Sequence, residues 1–188
     1  DMKDASVPMV GFCAWSGTGK TTLLAKLLPM LKTKGLRVGV VKHAHHSFDI
    51  DHPGKDSYVL REAGASQMLI ASRKRMAHIT EFEHGNEEPS LADALAGLDM
   101  ETLDLVLVEG FKHEHFRKIE LHRPALNKPL LFPDDPDVIA VASDAPIAES
   151  SNGLPKLDLN NPDRIVQFIL DAVIGAAPAY SIGGAGQS

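Results

Sequence analysis

Ala14-Trp15-Ser16-Gly17-Thr18-Gly19-Lys20-Thr21-Thr22 is the stretch that decides the fold. Before it, Val7 to Cys13 are apolar enough for a buried parallel strand. After it, Leu23, Leu24, Leu27, Leu28 and Leu31 recur at helical spacing. A strand, a glycine loop and a helix in that order form a phosphate-binding loop. Gly17 and Gly19 admit backbone conformations closed to residues with a Cβ, so that successive N–H groups can turn around an oxyanion. The positive end of the helix dipole adds to the attraction. In such a loop the residues from Ser16 through Gly17, Thr18 and Gly19 to Lys20, Thr21 and Thr22 surround the phosphates. Lys20 reaches the β- and γ-phosphates, the Thr21 hydroxyl ligates Mg²⁺, and Thr22 touches the α-phosphate. Ala14 stands where the pattern G-x-x-x-x-G-K-[ST] has its first glycine, which requires a negative φ there.

Working outward, Lys34-Gly35 gives a helix stop and Arg37 to Lys42 a second buried strand, completing a βαβ unit. Pro53 to Ala65 read as helical. Gln67 to Ser72 and Arg75 to Phe82 read as a strand pair turning at Arg73-Lys74, and Glu83 to Pro89 as an acidic loop. Ser90 to Leu98 form a short helix with Ser90 and Asp93 as capping partners and Gly97 near its end. Leu103 to Val108, Lys118 to His122 and Val138 to Ala142 are further strands. Asn161-Pro162-Asp163 opens a last helix, with Asn161 as its cap. This alternation predicts an α/β fold with a mainly parallel sheet, helices on both faces, and ligands beyond the carboxyl ends of the strands. It is the three-layer architecture of P-loop nucleotide-binding proteins.

Composition narrows the possibilities. A chain of 188 residues with 44% hydrophobic content fits a single domain, taken as residues 1–174, followed by a flexible tail at 175–188 rich in Ala, Gly, Ser and Pro. A net charge of −6 and a pI near 5.8 argue against a broad basic face for nucleic acid. The lone cysteine, Cys13, excludes an intramolecular disulfide framework, reads as a small core residue, and fits a reducing cytoplasm. No apolar run is long enough to span a membrane, and the polar start Asp1 to Ser6 lacks the features of a secretion signal. The expectation is a soluble cytoplasmic protein.

Other loops fall at the same predicted edge. Glu109 follows the strand Leu103 to Val108, as the acid of a Walker B element does, where it can join the Mg²⁺ shell or orient an attacking water; a solvated strand-end acid would look alike. After the second strand, Lys42 to Asp56 hold four histidines and three aspartates. Imidazoles and carboxylates so close together can ligate a transition metal, and a polar surface loop shares that composition. Asp49 or Asp51 from this loop is expected near the γ-phosphate and Mg²⁺. Asp49 is assigned to the metal and Asp51, with Lys20 and Glu109, to catalysis. Phe111 to His115 should open onto the same edge as a contact for substrate or partner, or as a solvated crossing. Trp15 is either an exposed contact residue or a packed loop aromatic. Asp144, after Val138 to Ala142, could accept hydrogen bonds from N1 and N2 of guanine, though it could equally begin a turn before Pro146.

Together, A-W-S-G-T-G-K-T-T-L-L, V-K-H-A-H-H-S-F-D-I-D-H-P-G-K-D-S-Y, R-E-A-G-A and D-L-V-L-V-E-G-F-K-H-E resemble the MobB family of molybdopterin-guanine dinucleotide biosynthesis adaptor proteins, over roughly Pro8 to Val173. The resemblance implies binding of GTP with Mg²⁺, weak GTPase activity and a homodimer. It also implies an adaptor role beside a MobA-type molybdopterin guanylyltransferase that attaches GMP to molybdopterin in molybdenum cofactor biosynthesis. It carries Gly17, Gly19, Lys20, Thr21 and Thr22 over as nucleotide contacts and supports Glu109 near the metal. Two rivals share these residues. A small-molecule kinase would use the same loop with Arg73 to Arg75, and a metal-delivery GTPase would use His43, His45, His46 and His52.

Overall fold

The computed structural model describes residues 7–45, 47–82, 87–147 and 153–175. Along the chain the elements are β1 (Met9–Cys13), α1 (Lys20–Thr33), β2 (Val38–Lys42), α2 (Asp56–Glu62), β3 (Gln67–Ala71), β4 (Met76–Thr80), α3 (Leu91–Ala96), β5 (Leu105–Glu109), β6 (Lys118–His122), β7 (Val138–Ser143), β8 (Lys156–Asp158) and α4 (Pro162–Phe168), which runs on as a π-helical stretch, Ile169–Ile174. They gather into two compact units. One contains the chain up to residue 43 and from residue 90 onward, the other residues 44–89.

The larger unit is built on six strands in the order β2-β5-β1-β6-β7-β8, all paired in parallel. Alternation along each strand sends its apolar side chains to both faces. Val10, Phe12, Leu105, Leu107, Ile119 and Leu121 meet Leu23, Leu24, Leu27 and Leu31 of α1 and Ile165 and Ile169 at the other end of the chain. On the opposite face Met9, Val41, Val106 and Val108 pack with Leu91 and Leu95 of α3, and Val138 and Val141 with Leu130 and Phe132. Burying each such leucine is worth about 1.5–3 kcal/mol.

Local signals explain most boundaries. Gly35, at φ +82°, ends α1: its N–H bonds Lys32 O at 2.9 Å and the Leu36 N–H reaches back to Leu31 O at 3.2 Å. At α3 the Ser90 hydroxyl accepts from the Asp93 N–H at 3.0 Å while the Ser90 N–H donates to the Asp93 carboxylate at 3.2 Å, the reciprocal cap its spacing predicts. Asn161 occupies the cap position of α4, but its side chain makes no capping bond, and Pro162 sets the first turn instead. β8 was missed because three residues are too few to show a period.

In the 44–89 unit, β3 and β4 form an antiparallel hairpin with Gln67 opposite Thr80 and Ala71 opposite Met76, turning at Arg73-Lys74 as expected. The predicted helix is shorter, Asp56–Glu62, and contributes no buried apolar residue. The 83–86 part of the acidic loop, His46, residues 1–6 and the tail from 176 lie outside the described residues.

One close approach in the larger unit is testable. A Cβ built on Gly11 of β1 runs into the ring of Phe116, which is itself buried. Gly11→Ala is therefore expected to cost about 1–3 kcal/mol by overpacking, read as a lower urea midpoint at unchanged slope. An unchanged midpoint would mean that the Phe116 ring moves aside freely.

Candidate functional site

The phosphate loop has the backbone its glycines foretell. Gly17 and Gly19 stand at φ +82° and +102°, and Ala14 takes negative φ, since Phe111 and Asn127 alone among the described non-glycine residues have positive values. Thr18 is buried and turns inward. Its hydroxyl donates to Trp15 O at 2.6 Å and its N–H to the same oxygen at 3.2 Å, so Thr18 closes the turn with its own polar groups. Gly19 caps α1 without a side-chain hydrogen bond, and the first turn holds no acid. The N–H groups of Lys20, Thr21 and Thr22 therefore open α1 without a side-chain acceptor, at the positive end of a 14-residue helix. Ser16, Thr21 and Thr22 are exposed and Lys20 is half-buried. This cradle fits a polyphosphate: no capping side chain takes up the first N–H groups of α1, and nothing lies within 4 Å of a Cβ placed on Gly17.

Glu109 ends β5 beside that loop, opposite Phe12 of β1 on one side and Lys42 of β2 on the other. Its backbone carbonyl accepts from the His43 N–H at 2.9 Å. The chain then turns through two left-handed residues, Gly110 at φ +89° and Phe111 at +55°. A Cβ on Gly110 would lie 2.7 Å from Cβ of His43. A left-handed phenylalanine costs about 1–2 kcal/mol, offset here by burial of the ring and its stacking on His43, with centroids 4.9 Å apart. The segment expected to be either a contact loop or a solvated crossing is thus partly structural. Phe111 is core, and Glu114 Oε2 accepts from the Leu91 N–H at 2.6 Å at the start of α3, leaving Lys112, His113 and His115 exposed.

Asp49 and Asp51 belong to the 44–89 unit, where Arg61 of α2 gathers them. Its Nε donates to Asp51 Oδ2 at 3.1 Å, and its Nη2 contacts both Asp51 Oδ1 and, at 3.0 Å, Asp49 Oδ1. Nη1 pairs with Glu81. Both oxygens of Asp51 are engaged, and the Arg61 hydrogen bonds hold its carboxyl below the usual range, which makes it a poor proton acceptor. Asp49 gives Arg61 one oxygen and stays largely exposed. Among the described residues no three His, Cys, Asp or Glu side chains gather as a metal set, so the described histidines of this stretch belong to none.

Besides Arg61, two groups in the larger unit have no counterpart in the sequence reading. Arg123, just beyond β6, donates from Nε to Thr18 O at 2.8 Å and from Nη1 to Asp144 Oδ2 at 2.9 Å, tying the phosphate loop to the end of β7. The strand-end rule that singled out Glu109 would have found it too. Glu120, buried within β6, accepts from the N–H groups of Leu131 and Phe132 at 2.8 Å each, and a lone acid inside an apolar strand gives no such signal. Trp15 is resolved as an anchored, still exposed residue: Nε1 donates to Pro129 O at 2.8 Å and Lys128 Nζ lies 5.5 Å from its ring centroid. Burial, then Glu120 and Asp135, push the Cys13 thiol up to about 12, as suits an inert core residue.

Comparison with known proteins places this geometry. The family model described as molybdopterin guanine dinucleotide synthesis protein B matches residues 9–144. The chain is 47% identical over 166 residues to the molybdopterin-guanine dinucleotide biosynthesis adapter protein of Escherichia coli, covering 88% of this chain and 93% of that one. It is 45% identical over 164 residues to the protein of the same name from Haemophilus influenzae, covering 87% and 88%. It superposes on the crystal structure of molybdopterin-guanine biosynthesis protein B with a TM-score of 0.66 at 26% identity, over 88% of this chain and 99% of that one. Bacillus subtilis MobB, at 23% identity and a TM-score of 0.67 over 90% and 99%, shares the fold. With the phosphate loop, the parallel sheet order and these relatives in agreement, the chain belongs to the molybdopterin guanine dinucleotide synthesis protein B, or MobB, family.

Proposed function

We propose that this protein is a GTP-binding adaptor with weak GTPase activity that assists attachment of GMP to molybdopterin in molybdenum cofactor biosynthesis. The observation that carries the reading is the uncapped start of α1 over a loop with left-handed Gly17 and Gly19, adjoining Glu109. Backbone donors of residues 16–22 and the Lys20 ammonium would hold the phosphates. The Thr21 hydroxyl and the Glu109 carboxylate are the oxygen ligands suited to Mg²⁺, which when bound would neutralise charge on the β- and γ-phosphates. Within the 44–89 unit Asp49 gives Arg61 one oxygen, and Asp51 serves chiefly to hold that arginine. Glu109 would also orient a water. With Lys20 and backbone amides supplying the rest of the site, turnover should be slow. The relatives' names support an adaptor role in molybdopterin-guanine dinucleotide biosynthesis. In this reading its partner is a MobA-type guanylyltransferase and the cargo molybdopterin; no described helix is long and apolar enough to cross a membrane.

Calorimetric titration with GTP and Mg²⁺ should show one site per chain, and Lys20→Ala should weaken it at least about tenfold by removing a charge-assisted phosphate contact. Absence of binding by both GTP and ATP would overturn the reading.

The homodimer draws support from the 44–89 unit. Leu69 and Met76 share one face of the hairpin and are 57% and 70% exposed, while Val59 and Leu60 of α2 and the nearby Phe48, Ile50 and Phe82 are also exposed. A two-stranded ribbon is marginal alone in water, and an apolar surface of this extent marks an interface, which we assign to a second copy of the chain. Leu69→Glu with Met76→Glu should convert a dimer to a monomer in sedimentation while leaving nucleotide binding in place. A wild-type monomer at micromolar concentration would contradict the assignment.

A further inference from the structure

A cleft of about 100 Å³ opens in the larger unit beside the phosphate loop. Gly19, Thr22 and Lys26 line it from the loop and α1, Arg123 from beyond β6, and Asn160 from the turn between β8 and α4. It adjoins the Gly19 end of the phosphate cradle, where a nucleoside attached to the bound phosphates would extend. Open parallel sheets hold ligands outside the carboxyl ends of their strands, and this cleft lies among those ends.

The guanidinium of Arg123 is fixed there by two bonds of different kind: Nε to the Thr18 carbonyl and Nη1 to the Asp144 carboxylate. Two contacts in one plane set the orientation of the fork. Nη2 remains, and it lies 3.5 Å from the position a Cβ on Gly19 would take, on the cleft side of the loop. Asp144, the acid assigned from sequence to the N1 and N2 groups of guanine, has Oδ2 committed to Arg123 and is not among the residues lining the cleft. The charged side chains that do line it, Arg123 and Lys26, are donors only.

Purines differ sharply in what they offer such donors. Guanine presents two adjacent acceptors, O6 and N7, whereas adenine places an amino donor beside N7. A cleft whose charged lining consists of donors therefore favours guanine from its O6/N7 edge and opposes the adenine amino group. We propose that Arg123 reads guanine at O6 and N7, and that Asp144 is a positioning residue acting through Arg123. This inference rests on the GTP-binding reading above and deepens it by naming the edge of the base that is recognised.

Four nucleotides with Mg²⁺, competed against a fluorescent GTP analogue on the full chain, separate the alternatives. ITP keeps O6 and N7 but lacks the 2-amino group; 7-deaza-GTP keeps the 2-amino group but lacks N7. The expected order is ITP within about threefold of GTP, with 7-deaza-GTP and ATP each at least about tenfold weaker. Arg123→Gln should bring GTP and ATP within about threefold of each other. Asp144→Asn, which keeps an oxygen for Nη1, should preserve most of the preference, and a merely structural role for Arg123 would not move that ratio. ITP at least about tenfold weaker than GTP, with 7-deaza-GTP binding normally, would overturn the assignment in favour of a carboxylate at N1 and N2. A guanine preference that survives Arg123→Gln would overturn it as well. Because both outcomes require GTP to bind, they differ from failure of the GTP reading, in which no guanine nucleotide binds.

Discussion

The unsatisfied N–H groups that open α1 are the constraint around which the larger unit is organised. A helix start left without a capping side chain is costly unless water or an anion completes it, and here the loop before it is shaped by two left-handed glycines and supplies no capping side chain. Keeping such a loop in one conformation requires fixing it from behind. Thr18 does so from within, through its two bonds to Trp15 O, and the segment after β6 does so from outside, with Arg123 on Thr18 O and Pro129 O receiving the Trp15 indole.

That segment is held by a buried charge. Glu120 lies within β6 with no exposed surface and offers its two oxygens to the N–H groups of Leu131 and Phe132, which starts the short helical turn at Phe132–Asp134. Lys118, two residues earlier on the same strand, is also buried, pairing with Asp135 at 2.9 Å and donating to Glu114 O at 3.2 Å. Buried ions of this kind add little net stability, because desolvation consumes the attraction, but removing one partner strands the other. Their evident effect is placement: Glu120 fixes the end of the segment that meets the phosphate loop, and Lys118 ties together the loops on both sides of β6. The acid that burial denies to solvent also raises the thiol of Cys13, its neighbour in register, so the strand leading into the loop carries no reactive group.

Much of this was legible in the sequence, and the reasons differ by residue. The phosphate loop, the α1 stop at Gly35, the Ser90–Asp93 cap and the Arg73-Lys74 hairpin turn each follow from short-range rules in which a few neighbouring residues decide the backbone. The place of Glu109 at the end of β5 was legible because a strand-end acid is a local pattern. What escaped depends on contacts distant in sequence. Arg61 gathers Asp49, Asp51 and Glu81 from two stretches of its unit; Arg123 spans 105 residues to Thr18; and Phe111 takes a left-handed backbone only because His43 and the core await its ring. The exposure of apolar residues in the 44–89 hairpin was hidden for the same reason, since they alternate there as in any half-buried hairpin.

The central claim is that nucleotide phosphates complete the open donors at the start of α1, in a loop already pinned in its binding shape. Amide hydrogen exchange of the full chain, with and without saturating GTP and Mg²⁺, tests it most directly. The account predicts strong added protection at residues 16–22 and a smaller gain along the 123–132 segment that braces them. Saturable GTP binding with exchange at residues 16–22 unchanged would contradict it.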